Sequence, residues 1–214
     1  MKNFRMPFLK MGIMMDLGTF KQHTRNVESF LNQEIKTFEK HAEEVTSKWE
    51  DYERAEYYEE SSDQYWELSK VYPNIQRKSE LMSIYTILEN TIMRICLVYQ
   101  SSIDNPVKMK DLEAHGIIDQ GKRYLEKVVR LDFPSKHDSW KEIDKIQQIR
   151  NSFVHAAGHV KTGNKDLIKY IKQSPFLELK NNNQVEISNG FSEHCLDVFA
   201  NFFDELFVRM EALK

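Results

Sequence analysis

Arg150, Asn151 and His155 fall within one short segment, Arg150-Asn151-Ser152-Phe153-Val154-His155, and their side chains suit an anionic ligand. An imidazole titrates near neutral pH and can take or give a proton. A guanidinium keeps its charge and offers a planar fork to phosphate oxygens. Trp140, Ile143, Ile146, Ile149 and Phe153 recur at helical spacing around the segment, which predicts an amphipathic helix from an Asp138 N-cap to Ala157, closed by Gly158. In such a helix residues five apart are separated by about 140°, so only the length of Arg150 lets it reach the cleft His155 faces. Asn151 and His155, four apart, share a face. His155 also falls in the last turn, where the negative end of the helix dipole favours a protonated ring.

Glu89 is the second residue of interest. It shares an apolar stripe with Met82, Tyr85, Met93 and Cys96, and a carboxylate buried there requires a partner. Two readings stand: an acid holding Arg150 or His155 in place, or a structural ion pair with Arg94 or a lysine. The motif has its own structural alternative, in which Arg150 pairs with an acid and His155 caps last-turn carbonyls. His23, His41, His115, His137, His159 and His194 lack a second ligand at helix spacing and read as surface or satisfied polar groups. Arg130 and His137 also have six residues between them, but Pro134 is one of these. There is no glycine-rich phosphate loop, G-x-S-x-G, H-E-x-x-H or paired-cysteine motif.

The elements that must position these residues are mostly helices. Leu31, Ile35, Phe38, Ala42, Val45, Trp49 and Tyr52 follow at alternating intervals of four and three, a coiled-coil seam that predicts one long amphipathic helix within Phe20 to Tyr72. Its outer face is acidic: Glu39 to Glu67 holds 11 acids against 3 bases. Pro73 ends the pattern, and Asn74 can cap a helix to Gln100 with Leu81, Ile84, Leu88, Ile92, Ile95 and Tyr99 as its stripe. Ser101 to His115, with Asp104, Asn105 and Pro106, reads as a loop. Helices over Ile117 to Leu131 and Ser192 to about Leu213 complete the set. Phe176, Leu179, Val185 and Ile187 alternate around Asn181 to Asn183, the pattern of a small β-hairpin.

Composition agrees. The 214 residues include only 7 Gly and 5 Pro, well below the roughly 7% and 5% of average usage, which disfavours turn-rich β folds. Lys+Arg 30 against Asp+Glu 33 leaves a net charge of -3, so no overall basic field marks a nucleic-acid binder. Residues 1–72 carry 10 bases against 14 acids, and the remainder 20 against 19. Residues 120–150 hold eight bases, among them Lys122, Arg123, Lys141 and Lys145, against five acids; they could track a nucleic-acid backbone, though a mixed solvated face explains most of them. The acidic N-terminal helix could itself lie on these bases. Cys96 and Cys195 sit in apolar helical patterns and read as buried thiols. The basic start, Lys2 and Arg5, precedes only a short apolar run, Met11 to Met15, and no stretch reads as a membrane span. A cytoplasmic location is the expectation.

The motif resembles that of the HEPN superfamily, R-x4-6-H with a polar residue, often Asn, directly after the Arg. The resemblance covers roughly Asn74 to Leu213 and implies two parts: an acidic helical extension over 1–72 and an all-α HEPN-like bundle over 74–213, with the β-hairpin before the last helix. It further implies a homodimer acting as a metal-independent endoribonuclease without cofactor, in a toxin or phage-defence role. RNA is then the substrate and an antitoxin or other protein a partner. His155 would be general base or acid, Arg150 the phosphate clamp, and Asn151 would orient His155 or the phosphate. No Tyr stands at Ala157, so the tyrosine-modified subtype is not implied. Some members of that superfamily bind nucleotides or partners without cutting RNA, and a non-catalytic helical interaction or nucleotide-binding protein is the alternative.

Overall fold

The computed structural model describes residues 5–103 and 105–213; Lys2 and Asp104 lie outside them. In chain order the elements are α1 (Arg5–Thr46), α2 (Asp51–Glu60), α3 (Ser62–Trp66), a π-helical turn (Glu67–Val71), α4 (Tyr72–Gln100), a short 3-10 turn (Met109–Asp111), α5 (Ile117–Lys127), α6 (Asp138–Ala156), α7 (Lys165–Gln173), the strands β1 (Leu177–Leu179) and β2 (Val185–Ile187), and α8 (Phe191–Ala212). The chain is mostly helical, as its composition requires.

α4 is the central element, because its stripe Leu81, Ile84, Leu88, Ile92, Ile95 and Tyr99 is buried along its whole length. α8 packs on it, with five buried phenylalanines, Phe191, Phe199, Phe202, Phe203 and Phe207. α5 crosses closely because of Gly121, where a Cβ would come within 2.3 Å of Ile92 Cγ2. α6 packs on α8 and α4 through Ile143, Ile146 and Ile149.

The N-terminal helix begins earlier than its seam predicts, and its first half enters this core. Ile13 and Leu17 are buried. Lys21 binds Asp197 at 2.6 Å and Arg25 binds Glu193 at 2.6 Å, tying α1 to α8. The largely buried Glu28 takes Arg77 of α4 in a two-pronged pair at 2.6 and 2.9 Å, the stronger geometry for such an interaction.

The seam does not continue as one helix. Leu31, Ile35 and Phe38 are half-buried and Ala42 buried, but Val45, Trp49 and Tyr52 are exposed. The chain turns over Ser47–Glu50 and α2 and α3 double back, so the second arm returns along the first. Glu50 and Glu53 form a reciprocal capping box that restarts the helix at Asp51. Phe38 and Tyr65 then stack across the hairpin with ring centroids 5.8 Å apart.

Pro73 does not interrupt the helix either. Ser62–Gln100 is one continuous run. Proline lacks an N–H and crowds the carbonyl four residues back; the wide π turn immediately before it, where the Tyr72 N–H bonds to Glu67 O, absorbs both demands. Within this run one 18-residue window reaches a mean hydropathy of 1.4, long and apolar enough to cross a membrane, contrary to the expectation from sequence. With 44% of that window buried inside the molecule, it also fits a core helix.

Smaller differences have local causes. α5 ends at Lys127, because Arg130 adopts φ 64 and the Leu131 N–H returns to Leu125 O at 2.9 Å. His137, not Asp138, caps α6, accepting the Ser139 N–H. The hairpin forms with Asn183 at φ 61. α7 is an addition, announced only by the Asn164 cap and by Leu167, Ile168 and Ile171.

Candidate functional site

The buried stripe of α6 leaves Arg150 and Asn151 half-buried on its flank toward α4, and His155 exposed in the last turn. The Arg150 guanidinium lies over the Tyr85 ring, 5.1 Å from its centroid, an arrangement that draws a cation to an aromatic face. Its Nη1 donates to Asn151 Oδ1 at 3.0 Å. Nε is buried without a hydrogen-bond partner among the described residues, as is the Tyr85 hydroxyl.

Glu89 stands one turn after Tyr85 on α4, half-buried. Burial pushes its carboxyl above the usual carboxylate value, and the Arg150 charge draws it partly back. The Tyr85 phenol is pushed up by burial first and by Glu89 second, again opposed by Arg150. Tyr85, Glu89 and Arg150 are thus one electrostatic cluster. Of the alternative partners for Glu89, Arg94 or a lysine, Arg94 is engaged elsewhere, binding Asp16 at 3.0 Å. Among the described residues Arg150 makes no ion pair with a carboxylate within 4.0 Å.

Asn151 directs its oxygen to Arg150 rather than to His155, leaving its amide N–H groups as donors. The last-turn carbonyl of Ala156 meets His159 Nδ1 at 2.9 Å, so the cap falls to His159 and not to His155. The end of α6 is held by the β-hairpin. Ala157 (φ 50) and Gly158 (φ 87) turn the chain beneath Phe153, where a Cβ on Gly158 would approach the ring to 2.8 Å. Gln184 Nε2 then donates to Ala157 O at 3.0 Å, and the Val185 N–H to Gly158 O at 3.0 Å. Gly158 thus stands at C′ with a positive φ, as expected from sequence, and Ala157 before it is left-handed as well.

The surrounding bases are largely paired: Lys122 with Glu126, Arg123 with Asp119, Lys141 with Asp138 and Lys145 with Asp144. This is the mixed face anticipated for them. The acidic N-terminal helix packs principally on α8 and α4. Both cysteines are buried, and desolvation pushes the Cys96 thiol up to about 12. Among the described residues no group of three or more His, Cys, Asp or Glu side chains could hold a metal ion.

Two groupings escape a reading of spacing alone. Tyr85 could have been found as the i−4 neighbour of Glu89. The other joins three helices: His194 Nε2 lies 2.7 Å from Glu142 Oε1, which also accepts the Tyr170 hydroxyl at 2.9 Å. The His194 bond holds the Glu142 carboxyl below its usual value. No family model, curated protein or solved structure matches the chain.

Proposed function

We propose that the chain is a metal-independent endoribonuclease of the HEPN type, acting as a homodimer on RNA. The observation that carries this reading is the condition of Arg150, a guanidinium set in place by Tyr85 and Asn151 yet without a carboxylate partner among the described residues. An oriented cation of this kind needs no rearrangement when a phosphate arrives and gains negative charge during reaction. His155, exposed roughly one and a half helical turns further on, supplies an imidazole that can take or give a proton.

In the proposed reaction His155 takes the proton of a ribose 2′-OH, whose oxygen attacks the adjacent phosphorus. The P–O5′ bond breaks, giving a 2′,3′-cyclic phosphate, and the departing 5′-oxygen is protonated by His155 of the partner subunit. Arg150 holds the non-bridging oxygens, the Asn151 amide donates to one of them, and Glu89 keeps Arg150 in register. A toxin or phage-defence role in the cytoplasm, restrained by an antitoxin protein, fits such an activity.

The test is cleavage of single-stranded RNA by the purified protein in EDTA, beside Arg150→Ala and His155→Ala. The expected result is fragments ending in 2′,3′-cyclic phosphate from the intact protein, and a loss of at least about a hundredfold in each variant. Equal cleavage by all three, or none by the folded intact protein, would remove the reading. A second reading, a non-catalytic interaction protein, is favoured by the aromatic side chains exposed on the α1–α3 hairpin. It expects Trp49→Glu or Phe38→Glu to abolish function and His155→Ala to leave it untouched.

A further inference from the structure

The nine tyrosines and three tryptophans are distributed unevenly. The six that are exposed, Trp49, Tyr52, Tyr58, Tyr65, Trp66 and Tyr72, all lie on the acidic hairpin and its junction with α4. A cluster of this kind is unlike the singly scattered apolar side chains of an ordinary surface. Between the arms runs a groove of about 650 Å³, within the size range of binding clefts. Phe38, Tyr58 and Tyr65 line it, together with Glu39 and Glu43. Arg54, also lining it, donates Nη2 to Thr46 O at 3.2 Å.

Aromatic faces attract cations, guanidinium above all, and carboxylates around them raise that preference. The same carboxylates repel a phosphate backbone, so this groove is no continuation of an RNA site. We infer that the hairpin groove binds an arginine-rich segment of a partner protein, with arginine side chains laid between the Tyr58 and Tyr65 rings and met by Glu39 and Glu43. The inference stands apart from the ribonuclease reading and uses none of its residues. The surplus of acids over bases in Glu39 to Glu67 would speed the encounter and make it sensitive to salt.

Fluorescence anisotropy of the full chain with a labelled peptide of alternating arginine and alanine tests this, beside Tyr58→Ala and a Glu39→Gln/Glu43→Gln double variant. All three positions are exposed. The Glu39→Gln change keeps an acceptor for the Tyr65 hydroxyl, which donates to Glu39 at 3.1 Å; circular dichroism checks the fold of each variant. The expected result is saturable binding that weakens at least about tenfold in both variants, and again as salt rises from about 50 to about 200 mM. The Tyr58 change leaves the charge untouched, so its effect separates a groove from diffuse attraction. Absence of saturable binding, equal binding by the variants, or equal binding of a serine-alanine peptide would overturn the inference. So would self-association through this face, seen by ultracentrifugation and abolished by Tyr58→Ala.

Discussion

Arg150, Tyr85 and Glu89 oppose one another electrically. Arg150 favours the ionised form of Glu89, but burial outweighs it, and the carboxyl holds its proton more tightly than its ordinary value of 4.5 implies. A carboxyl raised in the folded state binds more protons there than in the unfolded chain. Its contribution to stability is therefore full below the ordinary value and is lost as pH rises through the raised one. Glu89→Gln removes that loss: the variant is expected to be more stable than the parent at neutral pH and indistinguishable from it in acid, as urea denaturation at several pH values will read. If the same variant also loses RNA cleavage, Glu89 acts on the reaction at the expense of the fold. Arg150 and Asn151 were legible in the sequence through their spacing from His155, and Glu89 as a carboxylate in an apolar stripe. Tyr85 was not, since a tyrosine in an apolar stripe reads as core whether or not a cation rests on its ring. The exchange of partners by which His159 rather than His155 meets the Ala156 carbonyl depends on a left-handed Ala157, a conformation that alanine does not advertise.

Elements with a strong stripe could be read closely; those defined by their ends could not. The α4 stripe is buried as its spacing demands, and so are Ile143, Ile146 and Ile149 of α6, with Trp140 and Phe153 half-buried at its ends. The seam from Leu31 to Tyr52 ran across a real break because a four-three spacing is equally kept by two helices that happen to resume in phase. The restart signal, Glu50 and Glu53, uses a glutamate where serine, threonine or aspartate is the usual cap. Pro73 misled in the opposite direction, since a π turn upstream lets a helix run through a proline. The α4–α5 contact makes a sharp demand of its own. Alanine normally improves a helix over glycine by roughly 0.5–1 kcal/mol, yet Gly121→Ala would drive a methyl into Ile92. An overpacking cost of about 1–3 kcal/mol outweighs that gain, so thermal denaturation is expected to show a destabilised protein. A raised melting temperature would mean that α5 can move away from α4.

For the molecule as a whole, composition suffices to predict a mostly helical chain but not what the N-terminal region is for. Charge imbalance set residues 1–72 apart, whereas packing joins their first half to the rest through Ile13, Leu17 and the Glu28–Arg77 pair. Removing residues 1–72 is accordingly expected to uncover the faces of α4 and α8 and to abolish cooperative unfolding, measured by near-ultraviolet circular dichroism and calorimetry. A stable, more active fragment would instead mean that the N-terminal helix restrains the site from outside.

The unbroken run Ser62–Gln100 gives the molecule a mechanical property. Thirty-nine residues of helix make a rod of roughly 58 Å at 1.5 Å per residue. Its hairpin end carries Trp66, and some 28 Å further along the same rod carries Tyr85 beneath Arg150. Bending stiffness is uniform along such a rod except where the pitch changes, and here that place is the π turn at Glu67–Val71. The hairpin is carried by two helices, α1, which runs unbroken from the core to Thr46, and this rod, and only the rod changes pitch on its way to the core.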